Sequence, residues 1–355
     1  MQVQDVLDSL VKRQATDIFC IAGRPISYKQ DGTIIVMDDV RLLPEDTNEI
    51  ISQIYHLASE RSMKKLLDTG DDDFSFAIAG LSRFRVNAYK QRGSLAAVIR
   101  VVPFELPVAS ALNIPEVIEN LADQRYGLVL ISGPAGSGKS TTLATIIDRI
   151  NRTRNTHIVT LENPIEYLHR HQMSIVSQRE VQIDTEDYNA ALRAAMRQAP
   201  NVILIGELRD AETISIALSA AETGHMVLST VHTLGAVNAV DRLLHSFAPA
   251  QLEQARMQLS MVLECVVSQQ LIQKIGGGMV PAFEIMFCTT AVRNLIREGR
   301  THQLSQIIET SSDAGMVSMD SSLMRLYNTG QIEYSEMINH ALEPDALARL
   351  VPSPS

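Results

Sequence analysis

The sequence predicts an α/β fold in two domains, a core built on a parallel sheet and a smaller α+β domain before it. After about residue 113, short and nearly continuous apolar runs alternate with segments of helical periodicity, a pattern typical of parallel strands buried on both faces. Residues 1–103 instead mix helices with strands that suit an antiparallel sheet. Three prolines, at 103, 107 and 115, fall in a stretch of little periodicity. We therefore expect a linker over 104–112 and a second domain over 113–355.

Within the first domain, the opening thirteen residues predict an amphipathic helix. Its apolar positions recur at helical spacing: Val3, Val6, Leu7 and Leu10. A strand follows a turn at Asp31-Gly32, and residues 44–69 contain two helical patterns. Residues 71–102 predict three antiparallel strands with turns near Gly80 and Gly93.

In the second domain, four apolar runs predict the parallel strands: YGLVLIS, HIVTLE, NVILIGE and HMVLSTVH. The last eighty residues are predicted to be mostly helical. They follow a turn at residues 276–278 and a single strand, MVPAFEIMF.

Composition excludes several classes of protein. The chain has 355 residues, 45% of them apolar and 20% charged, which is typical of globular domains rather than disordered segments. Its net charge of −10 argues against a nucleic-acid partner, because phosphate recognition needs a basic surface. The three cysteines form no C-x-x-C pair, which excludes a tetracysteine zinc site and fits a cytoplasmic protein. No apolar run approaches the roughly 18 residues of a membrane helix, so we expect no direct membrane insertion.

The stretch ISGPAGSGKSTT, residues 131–142, fits the pattern G-x-x-x-x-G-K-[ST]. Such a loop wraps backbone N–H groups around phosphates, and the helix after it presents its positive end to them. Lys139 would reach the β- and γ-phosphates, and Ser140 would offer a hydroxyl to Mg²⁺. A chance glycine turn is the alternative, but the flanking strand and helix favour a phosphate loop. The cofactors predicted are ATP and Mg²⁺, bound by Gly133, Pro134, Ala135, Gly136, Ser137, Gly138, Lys139, Ser140 and Thr141.

Acids follow two of the predicted strands. NVILIG is followed by Glu207, and HIVTL by Glu162 and then Glu166. Parallel strands present their carboxyl ends to the ligand crevice, so these acids are candidates for metal binding and water activation. A helix cap or a surface acid is the competing interpretation, most strongly for Glu166. His232 lies just past a third strand, where a γ-phosphate contact and a structural role are equally open.

Four segments in this order and spacing resemble the Walker A, Asp box, Walker B and His box of the type II secretion and type IV pilus ATPases: GPAGSGKSTT, TLENPIEYLH, LIGELRD and GHMVLSTVHT. The resemblance implies a RecA-like core, a PAS-like N-terminal domain and a homohexamer. It also implies that Glu207 activates water, that Ser140, Glu162 and Glu207 hold the metal, and that His232 senses the γ-phosphate. The Gly-Glu form of Walker B is usual in these ATPases.

Residues 291–304, AVRNLIREGRTHQL, resemble a signature of the pilus retraction ATPases, the PilT family. Spacing alone predicts an amphipathic surface helix with Val292, Leu295 and Ile296 on one face and Arg293 on the other. The long N-terminal region and tetracysteine insertion of the extension ATPases are missing from this sequence. The resemblance therefore implies pilus retraction, a peripheral location at the inner face of the cytoplasmic membrane, and an inner-membrane platform protein as partner, with other pilus ATPases as further candidates.

Two departures from that family leave alternatives open. Asn163 stands where an Asp is usual, which removes a negative charge near the metal and is expected to weaken Mg²⁺ binding or slow turnover. Residues 16–19, TDIF, lack a usual His. The alternatives are an extension or secretion ATPase, an accessory retraction ATPase, and a weakly hydrolysing regulator. A DNA translocase is opposed by the acidic balance.

Two arginines of the first domain are candidate arginine fingers. In SRFRVNAYKQR, Arg83 and Arg85 point to one face of a strand and Phe84 to the other. This is either an ordinary polar face or, in a ring motor, a pair of arginines that reach a neighbour's nucleotide. Arg193, Arg197 and Arg209 are weaker candidates for interface arginines.

Overall fold

The computed structural model describes residues 2–30, 33–102, 106 and 109–351. These divide into two compact units, Met1–Glu105 with Glu166–Leu168, and Leu106–Ile165 with His169–Ser355. The Asp31-Gly32 turn and residues 104, 105, 107 and 108 of the predicted linker lie outside the described residues.

Unit 1 is an α+β domain whose strands all pair antiparallel, in the order β3-β2-β1-β6-β5-β4. Its helices are α1 (Val3–Lys12), α2 (Pro44–Leu57) and α3 (Lys64–Thr69). Its strands are β1 (Asp17–Cys20), β2 (Ser27–Gln30), β3 (Thr33–Val36), β4 (Asp71–Ile78), β5 (Ser82–Gln91) and β6 (Ser94–Val102). The helix at the start and the three strands after residue 70 confirm the predictions. The short strands β1 and β2 were not anticipated.

The core of unit 1 lies between its helices and one face of the sheet. The apolar positions predicted for α1 are all buried and pack in one cluster with Ile51 of α2 and Phe84 of β5. Amphipathic spacing therefore sets how α1 contacts the sheet.

Unit 2 is built on a seven-stranded sheet in the order β13-β12-β7-β11-β10-β8-β9. All neighbours pair in parallel except β13, which lies antiparallel at one edge. Its strands are β7 (Gly127–Ser132), β8 (His157–Glu162), β9 (Ile175–Glu180), β10 (Val202–Ile205), β11 (Met226–Val231), β12 (Leu263–Gln273) and β13 (Met279–Phe287). The four predicted parallel strands are confirmed.

Helices cover both faces of this sheet. Residues of α6 to α10 pack in a cluster on one face, and α4 and α5 pack in a cluster on the other. The helices are α4 (Glu116–Glu119), α5 (Lys139–Thr153), α6 (Tyr188–Ala195), α7 (Ala211–Glu222), α8 (Ala236–Leu244), α9 (Pro249–Val262), α10 (Thr290–Glu298), α11 (Leu304–Thr310), α12 (Met319–Asn328), α13 (Tyr334–His340) and α14 (Pro344–Leu350). No helix in the described part of the chain is long and apolar enough to cross a bilayer.

Strand β12 lies outside the sequence predictions, whereas the single strand predicted in the last eighty residues is confirmed as β13. Its sequence, LECVVSQQLIQ, carries a serine and two glutamines in the middle of the strand, and these interrupt the apolar run. All three are buried, with hydrogen-bond partners among the described residues. A polar residue in a buried strand is compatible with the fold when its hydrogen bonds are made inside the protein.

One buried carboxylate joins three elements of unit 1. The side chain of Asp72, on β4, is fully buried. It accepts hydrogen bonds from the Tyr55 hydroxyl (3.0 Å) and from Arg61 Nε (3.0 Å), and Lys65 Nζ lies 3.1 Å away. Burial opposes ionisation of Asp72, but these hydrogen bonds outweigh it and lower the pKa of the carboxyl.

We expect Asp72→Asn to lower the free energy of unfolding by about 2 kcal/mol, because hydrogen bonds to a charged group are weakened. Since the native pKa of Asp72 lies below its unfolded value, this stabilisation is present above about pH 4 and is lost as the pH falls through the native pKa. Urea unfolding between pH 3 and 7 measures it, with the exposed Asp71→Asn as control. Equal stability of the two variants at pH 7 would contradict the expectation.

Candidate nucleotide site

The glycine-rich loop joins β7 to α5, as the motif predicts. Gly133, Gly136 and Gly138 have φ values of 144°, 78° and 86°, a region that side chains strongly disfavour. Gly138 is the N-cap of α5, which starts at Lys139. The first N–H groups of α5 have no partner within the helix. They lie next to the glycine-rich loop, in a position that suits a phosphate.

Two polar side chains lie inside this loop. Lys139 is only 7% exposed, and its Nζ donates hydrogen bonds to the carbonyl oxygens of Gly133 (2.9 Å) and Pro134 (2.7 Å). The hydroxyl of Ser137 is buried and has no hydrogen-bond partner among the described residues. Buried polar atoms are normally satisfied, so an unmet donor here suits an anionic ligand.

Gln269 of β12 supports the loop from the neighbouring strand, a contact that sequence reasoning missed. Its backbone oxygen occupies the space that a side chain at Gly133 would need. Its Nε2 lies 2.9 Å from the position of a Cβ on Gly138, and its Oε1 accepts a hydrogen bond from Thr142 (2.7 Å). Close approach of the Gln269 backbone therefore requires glycine at 133, and the positive φ favours glycine at 138. Only the sheet order reveals this contact, because Gln269 is 127 residues from Thr142.

The structure places Glu162, Glu207 and His232 at the carboxyl ends of the strands, on the side of the sheet where β7 leads into the glycine-rich loop. Strands β7, β11, β10 and β8 are consecutive neighbours and run in parallel, so their carboxyl ends lie together. Glu162 is the last residue of β8, Glu207 follows β10 after one glycine, and His232 follows β11 directly.

Glu207 is almost enclosed, with its side chain 10% exposed. Its Oε2 lies 2.6 Å from Arg209 Nε and 3.3 Å from His232 Nε2. Neither approach is a hydrogen bond, so this buried oxygen lies beside a guanidinium and an imidazole but has no hydrogen-bond donor in the described residues. The helix-cap interpretation of Glu207 is wrong, because the N-cap of α7 is Asp210. Arg209, predicted as an interface arginine, pairs within its own chain.

Glu162 is held by its neighbours on the sheet. Its Oε1 accepts hydrogen bonds from the Thr160 hydroxyl (2.6 Å) and from Gln178 Nε2 (3.2 Å) of β9. Gln178 is itself fixed, since its Oε1 accepts the backbone N–H of His169 at 2.8 Å. Strand β9, absent from the sequence predictions, therefore orients this acid. Asn163 and Glu166 are exposed.

The residues present fit a magnesium ion that is bound together with phosphates. Magnesium usually takes one or two carboxylates, substrate oxygens and water rather than a cage of protein ligands. In keeping with this, no group of three or more His, Cys, Asp or Glu side chains within the described ranges forms a metal cluster. Ser140, in the first turn of α5, supplies a hydroxyl beside the loop, and the unbonded oxygen of Glu207 supplies an acceptor for metal-bound water.

Arg83 and Arg85 lie on β5 of unit 1 and are half-buried. They share one face of the strand, and Phe84 and Val86 pack into the core on the other. Arg85 lies opposite Arg100 of the neighbouring strand β6. The predicted strand and its orientation are thus confirmed, and the finger role stays a prediction.

Helix α10 covers most of the signature at residues 291–304 and ends at Gly299 with a φ of 71°. Val292 and Ile296 are buried as predicted. Arg293 was expected on the outer face, but its guanidinium pairs with Glu264 Oε1 at 2.8 Å. It also donates to the carbonyl of Met261 (2.7 Å), one of the last carbonyls of α9, which have no helical partner.

Comparison with known proteins gives the family. The sequence model of the type II/IV secretion system proteins matches residues 1–331. The type IV pilus retraction ATPase PilT of Pseudomonas aeruginosa is 40% identical over 97% of this chain and 99% of its own length. The chain belongs to the PilT family of type II/IV secretion ATPases.

The structural likeness is equally extensive. A crystal structure of the pilus retraction motor PilT with bound ADP has a TM-score of 0.90, 42% identity and coverage of 98% of this chain and 99% of that one. The type IV pilus ATPase PilU of P. aeruginosa is 36% identical over 96% of this chain and 89% of its own. This PilT-family chain is an ATP-hydrolysing enzyme with an α/β nucleotide-binding core.

We expect Gln269→Leu to weaken ATP binding about tenfold, because it leaves the Thr142 hydroxyl without its acceptor and loosens the loop. Binding of a fluorescent ATP analogue measures the effect. The matched control is Gln270→Leu, which removes a buried amide that bonds the carbonyl of His340 instead (2.9 Å). If both variants bind the analogue alike, Gln269 does not support the loop.

Proposed function

We propose that this chain is the motor of type IV pilus retraction, a homohexamer that converts Mg-ATP hydrolysis into disassembly of the pilus. The observation that carries the proposal is the likeness to a retraction ATPase over almost the full length of both chains. An inner-membrane platform protein is the proposed partner, and the proposed location is the inner face of the cytoplasmic membrane.

In the proposed site, the loop from Gly133 to Thr141 holds the phosphates, and Lys139 neutralises their charge. Ser140, Glu162 and Glu207 would hold a bound Mg²⁺, which would offset the negative charge of the phosphates. Glu207 accepts a proton from the attacking water. This role is supported by the buried Oε2, which has no hydrogen-bond donor in the described residues.

His232 is proposed to sense the γ-phosphate. Its Nε2 lies 3.3 Å from Glu207 Oε2, so a phosphate bound to His232 would change the charge next to the base. Loss of the γ-phosphate would then alter both the base and the loop that follows β11. That loop is tied to the sheet by the hydrogen bond from Gly235 N to the Ser268 hydroxyl (2.9 Å).

Arg85 and Arg83 are proposed to complete the site of the neighbouring subunit. Their shared face of β5 is not the face that forms the core of unit 1. An arginine supplied by a second subunit stabilises charge on the transferring phosphoryl group and couples hydrolysis to the ring.

Mixing two inactive variants tests this shared site. Arg85→Ala keeps its own loop and acids, and Lys139→Ala keeps its arginines, so each alone is expected to hydrolyse ATP slowly. In an equal mixture, roughly a quarter of the interfaces of a closed ring join an intact loop to an intact arginine, and activity returns. Light scattering on the same samples reports ring formation.

The control is a mixture of Lys139→Ala with Glu207→Gln. Both variants are defective in the nucleotide site itself, so an intact Arg85 from the neighbouring subunit cannot restore activity. No recovery in the first mixture, with rings present, would contradict an arginine supplied in trans.

Deletion of the gene in its own bacterium separates retraction from the alternatives. A retraction motor is expected to leave surface pili that accumulate while twitching is lost, whereas loss of an extension ATPase would leave no pili. Electron microscopy counts the pili, and complementation with Glu207→Gln shows whether hydrolysis is required. The accessory retraction ATPase stays the second candidate, and the likeness to the type IV pilus ATPase PilU is compatible with it.

A further inference from the structure

The hydroxyl of Tyr188 lies at the carboxyl ends of the strands that carry the two acids. Tyr188 is the first residue of α6, whose N-cap Asp187 accepts the backbone N–H of Ala190 at 2.7 Å. Its ring packs against the apolar cluster under this face of the sheet. Cap and packing together fix where the hydroxyl lies.

Gly206 shows how close that hydroxyl comes to the acids. A Cβ on Gly206 would lie 2.7 Å from the Tyr188 oxygen and 3.5 Å from the Cα of Glu162. The φ of Gly206 is not positive, so a side chain here would be opposed by the Tyr188 hydroxyl rather than by the backbone conformation. The hydroxyl therefore lies next to Gly206, which separates β10 from Glu207, and near the carboxyl end of β8.

The Tyr188 hydroxyl is neutral near pH 7, as a tyrosine ordinarily is. Burial raises the pKa of its hydroxyl, the carboxylates of Glu207 and Glu162 raise it further, and Arg209 opposes them. Within the described ranges the hydroxyl has no hydrogen-bond partner. A neutral phenol is both a donor and an acceptor, so the Tyr188 oxygen can accept a hydrogen from a water molecule between the acids while its own proton points elsewhere.

We propose that Tyr188 is a further catalytic residue, whose hydroxyl orients the hydrolytic water between Glu162 and Glu207. This inference rests on the proposed role of Glu207. The Tyr188 oxygen accepts one hydrogen of the water and its own proton points to Glu162, while Glu207 accepts the other hydrogen. A lone pair of the water then faces the γ-phosphate.

In the reaction, the water oxygen forms a bond to the γ-phosphorus. The bond from that phosphorus to the β,γ-bridging oxygen breaks, and ADP leaves with the electron pair. The water proton passes to Glu207. Tyr188 keeps its own proton throughout, so its contribution is the hydrogen bond alone.

Tyr188→Phe tests the hydroxyl while it keeps the ring. We expect kcat at saturating Mg-ATP to fall about 10- to 100-fold, the size expected for one hydrogen bond in a polar site. The affinity for a non-hydrolysable ATP analogue should be unchanged. A merely structural role would not lower kcat while it left this affinity unchanged. The matched control is Tyr334→Phe on α13, whose ring contacts Tyr327; its kcat should equal that of wild type.

Gly206→Ala tests the same hydroxyl with the tyrosine retained. The added Cβ needs the space of the Tyr188 oxygen and displaces it, so kcat should fall as in Tyr188→Phe. The double variant should be no slower than Gly206→Ala alone, because both changes act through one group. Thermal unfolding of each variant checks the fold, and if Tyr188→Phe is destabilised, Gly206→Ala still reports on the hydroxyl.

The inference is overturned if Tyr188→Phe keeps the wild-type kcat, or if the two changes multiply in the double variant. A different result tests the proposed function beneath it. If wild type fails to hydrolyse ATP, or Glu207→Gln hydrolyses it normally, the proposed site is wrong whatever Tyr188 does.

Discussion

The parallel pairing of β7, β11, β10 and β8 is the constraint on which the site depends. The carboxyl ends of parallel strands lie on the same side of the sheet. Each of these four strands is followed by, or ends in, a polar part of the site. A parallel sheet needs helices on both faces, and these helices bury the strands. Polar groups of the site therefore lie at the carboxyl ends of the strands. The glycine-rich loop, Glu207 and His232 are thus brought together by the sheet, although 99 residues separate Gly133 from His232 in the chain.

The site is supported as much by its neighbours as by its own residues. Gln269 fixes the glycine-rich loop from β12, and Gln178 fixes Glu162 from β9, so the strands on either side of the central four each contribute an amide. Both amides have their hydrogen bonds made inside the protein. A site held this way keeps its geometry before the nucleotide binds, which is what catalysis by positioning requires.

The sequence predicted those parts that local pattern determines. The glycine-rich loop has a fixed spacing, and strands buried on both faces are continuous apolar runs, so both are visible without the structure. Gln269 and Tyr188 were missed, because their contacts depend on which strands are neighbours. Strand β12 was missed since its buried serine and glutamines hide the apolar pattern. The contacts of Arg293 were not predicted, because spacing cannot show that α9 ends against this side of the helix.

Single-turnover hydrolysis of Mg-ATP by Glu207→Gln, with ATP binding measured on the same samples, tests the central claim most directly. If the acid after β10 is the base at this sheet edge, the variant binds ATP as wild type does and hydrolyses it at least about 100-fold more slowly. If it hydrolyses ATP at the wild-type rate, Glu207 is not the base, and the chemistry attributed to the ends of these strands is contradicted.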